Sequence, residues 1–235
     1  MRKVIEEYRK KGFAAFKIGW GPFGRARDSN LDRAIVKAAR EAAGPEALRR
    51  CRRQRCLLAA RPQMGAAHCR DACRLRVGWF EEPLRPDAID DYRELREASP
   101  VPIAGGEVLT RRQSFIPWLV KGALDIVQPD VTKVGEISEQ RRIAWMAYDF
   151  GVKYIGHGWN TALGVAADLQ FASAFPDCDL VEFIGGSPYV DGILKEPFKL
   201  DTDGFLTIPD HPGLGVEIDR EKLARFTPNP DVLFA

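Results

Sequence analysis

Five ionisable residues recur at a nearly constant interval, each at or just beyond the end of a short apolar run. Glu81 follows VGWF, Glu107 ends VPIAGGE, Asp130 ends ALDIVQPD, His157 ends VKYIGH and Glu182 lies in DLVEF. Successive members are 26, 23, 27 and 25 residues apart. One strand–helix unit of a closed eight-stranded α/β barrel takes about 25–30 residues, and the carboxyl ends of its strands converge on one mouth, where such barrels carry their chemistry. A single acid after a strand is usually a helix cap or a solvated loop residue. Five in register at the barrel period point instead to an active site. Lys17, near the end of FAAFKIGW, closes an earlier strand in the same way.

The stretches between these runs are amphipathic, so strands alternate with helices as in βα units around a parallel sheet. A helix is expected over 1–11, stopped by Gly12, and a strand over 13–20. A second helix spans 28–44, with Ser29 or Asn30 as its cap, Leu31, Ile35, Ala38 and Ala42 on one face, and Gly44 as its stop. Strands follow at 77–80, 101–107, 123–130, 152–157 and 179–183. Helices follow at 88–99, around 111–121, at 137–151 and at 161–175. The strands are almost wholly apolar, as expected where both faces are covered. The fold class is therefore α/β, an incomplete (β/α) barrel over 1–183. A Gly- and Pro-rich segment, 184–235, is expected to pack on the barrel or on a capping domain.

Length and composition are compatible with this. The 235 residues, 45% hydrophobic and 29% charged, suit one large domain or two small ones. No apolar run approaches the roughly 18–20 residues that cross a bilayer, and the charged start MRKVIEEYRKKGF lacks the apolar core of a signal peptide. A cytoplasmic protein with no membrane partner is expected. The net charge of +2 says little about partners. The paired acids Glu81 and Glu82 say more, because a charge at the edge of a core costs free energy unless a basic side chain or a metal compensates it.

WFEEPL, IAGGE, DIVQPDVTKVG and the His of YIGHGWNT, in this order and spacing, resemble the enolase superfamily, and within it the barrel domain of the mandelate racemase/muconate lactonizing enzyme group. The tail PGLGVEIDREKL is similar to that group's C-terminal segment. The resemblance implies Mg²⁺-dependent abstraction of the proton α to a carboxylate, a chemistry the superfamily runs with a Lys or His base and one or two Mg²⁺. It implies Glu81 and Glu107 as metal ligands, with Glu82 in a supporting salt bridge. It also implies Lys17 and His157 as bases on opposite faces of the substrate, and Asp130 as the partner that holds the imidazole tautomer. Lys133 accompanies Asp130, and Glu182 hydrogen-bonds the substrate carboxylate or enediolate oxygen. A Lys near Mg²⁺ and other cations is expected to have a lowered pKa; the plain alternative for Lys17 is a snorkelling surface side chain. Two opposed bases serve either β-elimination of water from an acid sugar or racemisation and epimerisation of a hydroxy acid. The resemblance favours acid-sugar dehydration. The expected partner is a small-molecule carboxylate, and relatives often assemble into homo-oligomers.

The sequence departs from the pattern in four places. Many relatives carry a second Lys where Ala15 stands. An N-terminal capping domain and the first barrel strand are not found, which would leave a strand edge unpaired. The family's first metal ligand, an Asp expected near Arg55, is not found either. Residues 47–76 hold nine Arg, no Lys and one acid, Asp71, a net charge of +8, together with four of the five cysteines. Three readings compete for this segment. It is a stretch translated out of frame between in-frame flanks; or a zinc site of Cys51, Cys56, His68, Cys69 and Cys73, whose spacing matches no standard finger; or a basic insert for nucleic acid, which lacks aromatics for stacking. These departures predict weak Mg²⁺ binding and impaired turnover. They leave a catalytically dead barrel fragment, or an Arg-rich binding module, as the rival function class.

Overall fold

The apolar runs that lead to Glu81, Glu107, Asp130 and His157 each contain a short strand, and the amphipathic stretch after each forms a helix. The computed structural model describes residues 1–19, 28–44 and 75–229. Its elements are α1 (Arg2–Lys10), α2 (Ser29–Ala43), β1 (Phe80–Glu81), α3 (Ile89–Ala98), β2 (Ile103–Gly105), α4 (Arg111–Val120), β3 (Ile126–Val127), α5 (Glu136–Asp149), β4 (Lys153–Tyr154), α6 (Ala162–Ala174) and α7 (Arg220–Ala224). The strands make one parallel sheet in the order β1-β2-β3-β4, with Phe80 opposite Ile103, Ala104 opposite Ile126 and Val127 opposite Tyr154. Spatial order equal to chain order means that every crossover steps one place in the same direction. This is the winding of a barrel, not of a doubly wound sheet.

Ile103, Ala104 and Val127 have no measurable exposure, and Phe80 and Tyr154 are buried on the opposite flanks. Helices α3, α4 and α5 cover the outside, where Tyr92 and Trp118 meet edge to face at 4.9 Å and Phe115 fills the space beside Gly106. Gly106 has φ +108°, and a Cβ there would stand 2.8 Å from the Phe115 ring. Only glycine allows the turn that ends β2 and presents Glu107.

Several expectations are corrected. The cap of α2 is Asp28, whose carboxylate accepts from the backbone N–H of Asn30 (2.9 Å) and Leu31 (3.2 Å). The buried face of α2 is accordingly Asp32, Val36, Ala39, Ala42 and Ala43, while Leu31 is 37% exposed. Within 13–19 there is extended chain and a single bridge residue, Ile18, in place of a full strand. Residues 179–183 form no ladder. Side chains hold these two segments instead: Phe13 stacks on Phe183 at 5.8 Å, Lys17 pairs with Glu182, and Lys153 pairs with Asp179 at 3.0 Å. The later segment forms antiparallel bridges Leu194–Ile218 and Leu200–Leu206, and Val190 packs on Val165 and Leu169 of α6. Residues 47–74 and the expected ligand position near Arg55 lie outside the described residues, as do the cysteines and His68 of the zinc reading.

Candidate active site

The strand ends build the site. β1 closes on Glu81, 1% exposed, because WF ahead of it is buried and Pro83 ends the run. Its Oε1 takes the Lys17 ammonium at 2.8 Å, and its Oε2 accepts from Trp79 Nε1 (3.2 Å) and Gln128 Nε2 (3.1 Å). A basic side chain therefore compensates the buried carboxylate in this structure. Burial alone would push Glu81 up, but the Lys17 charge and these hydrogen bonds outweigh it and hold the carboxyl below its usual range. Lys17 also reaches Glu182 Oε1 at 2.6 Å. Burial works to lower the Lys17 pKa, and the two carboxylates override it, so the pKa is raised. The expected lowering depends on cations beside Lys17, whereas in this arrangement two anions surround the ammonium.

The second cluster lies one and two strands further on. Asp130, with no exposure, sits beyond β3 and places Oδ2 2.8 Å from His157 Nδ1. Its Oδ1 accepts from the Thr132 amide (2.9 Å) and hydroxyl (2.6 Å), and Lys133 Nζ stands 3.2 Å from Oδ2. Burial opposes ionisation of Asp130, yet the bonds from His157 and Thr132 and the Lys133 charge hold it far below the usual carboxylate range. The other imidazole nitrogen, Nε2, faces Glu107 Oε2 at 3.1 Å, and Lys133 also donates to the Glu107 backbone carbonyl at 3.3 Å. Glu182 joins the clusters: with Oε1 on Lys17, its Oε2 accepts from the amide of Gly158, next to His157, at 2.9 Å. Gly158 lies so close to Glu182 that a Cβ would overlap the Glu182 carbonyl oxygen.

All seven residues singled out by sequence are therefore brought together, in two groups: Lys17, Glu81 and Glu182, and Glu107, Asp130, Lys133 and His157. Glu82 is half-buried at φ +39°. Sequence reasoning missed the supporting polar residues. Gln128 and Thr132 flank Asp130 in VQPDVT, where a Gln inside an apolar run was the available signal. A separate buried cluster, Gln140, Tyr154 and Asp168, lies behind the strand that carries His157. Gln140 Nε2 donates to Asp168 Oδ1 at 2.9 Å and contacts the Tyr154 hydroxyl. An Asp in the apolar run ALGVAADLQF was its signal.

Part of the cluster has the donor chemistry of a metal site. Glu81 and Glu107 offer hard carboxylate oxygens, and Gln128 Oε1, buried beside Glu81, has no hydrogen-bond partner. Oxygen-only donors suit Mg²⁺ rather than softer ions. Among the described residues no three Asp, Glu, His or Cys side chains are grouped closely enough to hold an ion. They thus fit part of a Mg²⁺ site.

Comparison with known proteins places this geometry. Residues 1–222 match the family model described as "Enolase C-terminal domain-like". The chain is 35% identical over 240 residues to a D-galactarolactone cycloisomerase of Agrobacterium fabrum, a match that covers 96% of this chain and 60% of that protein. It is 36% identical over 145 residues to an arabinonate dehydratase of Saccharolobus solfataricus, covering 62% of this chain and 39% of that one. It also resembles the solved 3,6-anhydro-D-galactonate cycloisomerase of Zobellia galactanivorans, with a TM-score of 0.82, 26% identity, and coverage of 96% of this chain and 62% of that one. The chain thus spans about three fifths of the length of the first of these relatives. With barrel winding, ionisable strand ends and a family match over nearly its whole length, the chain belongs to the enolase superfamily, as a barrel domain of the mandelate racemase/muconate lactonizing enzyme type.

Proposed function

We propose that this domain abstracts the proton α to the carboxylate of an acid sugar and eliminates water from the β carbon. The observation that carries the reading is the pair of potential bases joined through Glu182: Lys17 on one of its oxygens, and the amide next to His157 on the other. In the proposed roles, one base takes the α proton and the other, protonated, delivers a proton to the departing hydroxide. Carbon–oxygen cleavage then releases water and leaves an enol that tautomerises to a 2-keto-3-deoxy acid. Asp130, pinned by Thr132 and Lys133, orients His157 and stabilises its protonated form. Glu182, bonded to the Lys17 ammonium and to the Gly158 amide, holds the two bases in place. Glu81 and Glu107 would hold Mg²⁺, which supplies positive charge beside the substrate carboxylate. Two described carboxylates are a sparse ligand set, so we infer weak Mg²⁺ binding and reduced turnover. A soluble protein acting on small carboxylates, without nucleic acid, and able to form homo-oligomers is part of the same reading.

A second reading is favoured by the two cycloisomerases that match 96% of the chain. The same α-proton abstraction, followed by loss of a ring oxygen rather than hydroxide, opens a lactone or anhydro ring. The deciding experiment is ¹H NMR in D₂O with Mg²⁺, using arabinonate and D-galactarolactone as probes. A 2-keto-3-deoxy product from arabinonate supports dehydration, and ring opening of the lactone without water loss supports cycloisomerisation. Retention of the α proton in both acids under conditions where Mg²⁺ binds would refute both. Mg²⁺ binding is read independently as a rise in Tm that Glu81→Gln and Glu107→Gln each abolish.

A further inference from the structure

The loop between His157 and α6 contains a side chain that the proposed chemistry does not use. The amide of Asn160, three residues after His157, has both polar atoms, Nδ2 and Oδ1, buried and without any hydrogen-bond partner. A buried amide with neither donor nor acceptor satisfied forfeits its hydration with no return, and each such group in a native structure calls for an explanation. Local structure does not supply one, since Thr161, the N-cap of α6, makes no side-chain cap bond either.

The amide is packed against Gly164, where a Cβ would overlap its carbon, oxygen and nitrogen. The glycine keeps open a slot in which the amide finds no hydrogen-bond partner. The surrounding backbone is fixed. His157 N–H donates to the Pro129 carbonyl at 3.1 Å, Gly158 N–H to Glu182 at 2.9 Å, and Ala162 N–H to the Tyr189 carbonyl at 3.1 Å. Between these anchors the Asn160 side chain, which makes no hydrogen bond, is left to respond to a ligand. Rotation of a short side chain about two torsions costs little and is fast.

We propose that Asn160 is a substrate-contacting, specificity-determining residue. Its amide, idle against Gly164, turns to hydrogen-bond a hydroxyl of the polyhydroxy acid bound beside His157. A primary amide both donates and accepts, as a sugar hydroxyl does, so a polyol can satisfy both of its atoms whereas a carboxylate satisfies only its N–H. The inference rests on the reading of the site as one for acid sugars. It implies that Asn160 adds nothing to the stability of the free protein and is satisfied only in the complex.

The experiment compares wild type, Asn160→Ala and Gly164→Ala by thermal unfolding without ligand, and by calorimetric titration with arabinonate and with glycolate in the presence of Mg²⁺. Asn160→Ala is expected to leave Tm unchanged or raise it, and to weaken arabinonate about tenfold, the worth of roughly one hydrogen bond. It should leave glycolate, which has no distal hydroxyls, unaffected. Gly164→Ala removes the slot and keeps the amide outside it, so arabinonate should bind at least as tightly as to wild type. A fall of several degrees in the Tm of Asn160→Ala would make the residue structural and overturn the proposal. So would equal arabinonate binding by wild type and Asn160→Ala, a result that leaves the acid-sugar reading standing. Failure of wild type to bind arabinonate, whether or not glycolate is bound, would overturn both.

Discussion

Asp168 allows a sharp test of the buried polar cluster behind the site. It is 4% exposed on α6, and its Oδ1 accepts a single bond from Gln140 at 2.9 Å. Burial pushes its carboxyl up, the Gln140 bond only partly opposes this, and the Asp130 charge adds to it, so the pKa stands at about 7. In the unfolded chain an Asp titrates near 3.9. The native state therefore holds a proton that the unfolded state has released. The stability tied to this group is fully present below about pH 4 and is lost as pH rises to about 7. A gap of roughly three units amounts to about 4 kcal/mol, or about 1.4 kcal/mol per pH unit across that window. Asp168→Asn keeps the shape and an oxygen for Gln140 but cannot ionise. Wild-type stability alone would mix this with opposite contributions from Glu81 and Asp130, whose depressed pKa values confer stability that is lost on acidification. The difference between variant and wild type isolates it. Urea unfolding at intervals from pH 4.5 to 8 should show Asp168→Asn gaining on wild type by a few kcal/mol, the gain levelling off above about pH 7. Parallel pH profiles, or a variant that loses ground as pH rises, would refute the assignment of a neutral, buried Asp168.

Two further outcomes follow from the site. Lys17→Met leaves Glu81 buried without a cation and should cost about 3 kcal/mol in urea unfolding, most of it recovered in the double variant Lys17→Met/Glu81→Gln. A loss under 1 kcal/mol would mean that Trp79 and Gln128 alone sustain the charge. Gly158→Ala drives a methyl into the Glu182 carbonyl and should cost about 2 kcal/mol, a fall of about 4–8 °C in Tm. An unchanged Tm would show that the His157 loop and the 179–183 segment are not locked together as described.

How much of this was legible in the sequence depended on what carried the information. Helices that bury an apolar stripe announce themselves by period, and α3 to α6 begin and end within two residues of their expected bounds. The α2 cap was placed one or two residues late because Asp28, Ser29 and Asn30 are all good caps, and only the geometry of the N–H groups selects among them. The expected face of Leu31, Ile35, Ala38 and Ala42 shares only Ala42 with the buried set. Strands 13–20 and 179–183 were overestimated for a different reason. An apolar run shows that a segment is buried, whereas a ladder also needs a neighbour at the right spacing, and these segments meet through Phe13, Phe183, Lys17 and Glu182.

The site was legible to the extent that its residues lie at strand ends, because a period of about 25 residues is visible along a chain. What holds those residues was not, because it comes from other elements at other spacings. Glu81 and Glu107 show why this matters. Sequence places both as anions at one mouth, a set of charges that must be neutralised by something. In the structure each anion is paired with a proposed base, Glu81 with Lys17 and Glu107 with His157. The Lys17 ammonium therefore compensates the Glu81 carboxylate, and the His157 imidazole touches Glu107 on one nitrogen and Asp130 on the other. Removing Lys17 alone leaves the buried Glu81 charge without a cation, and removing Glu107 or His157 alone leaves its partner without a contact, so substitutions of Glu81 and Glu107 should be read with Lys17 and His157 as their partners, in double-mutant cycles rather than singly.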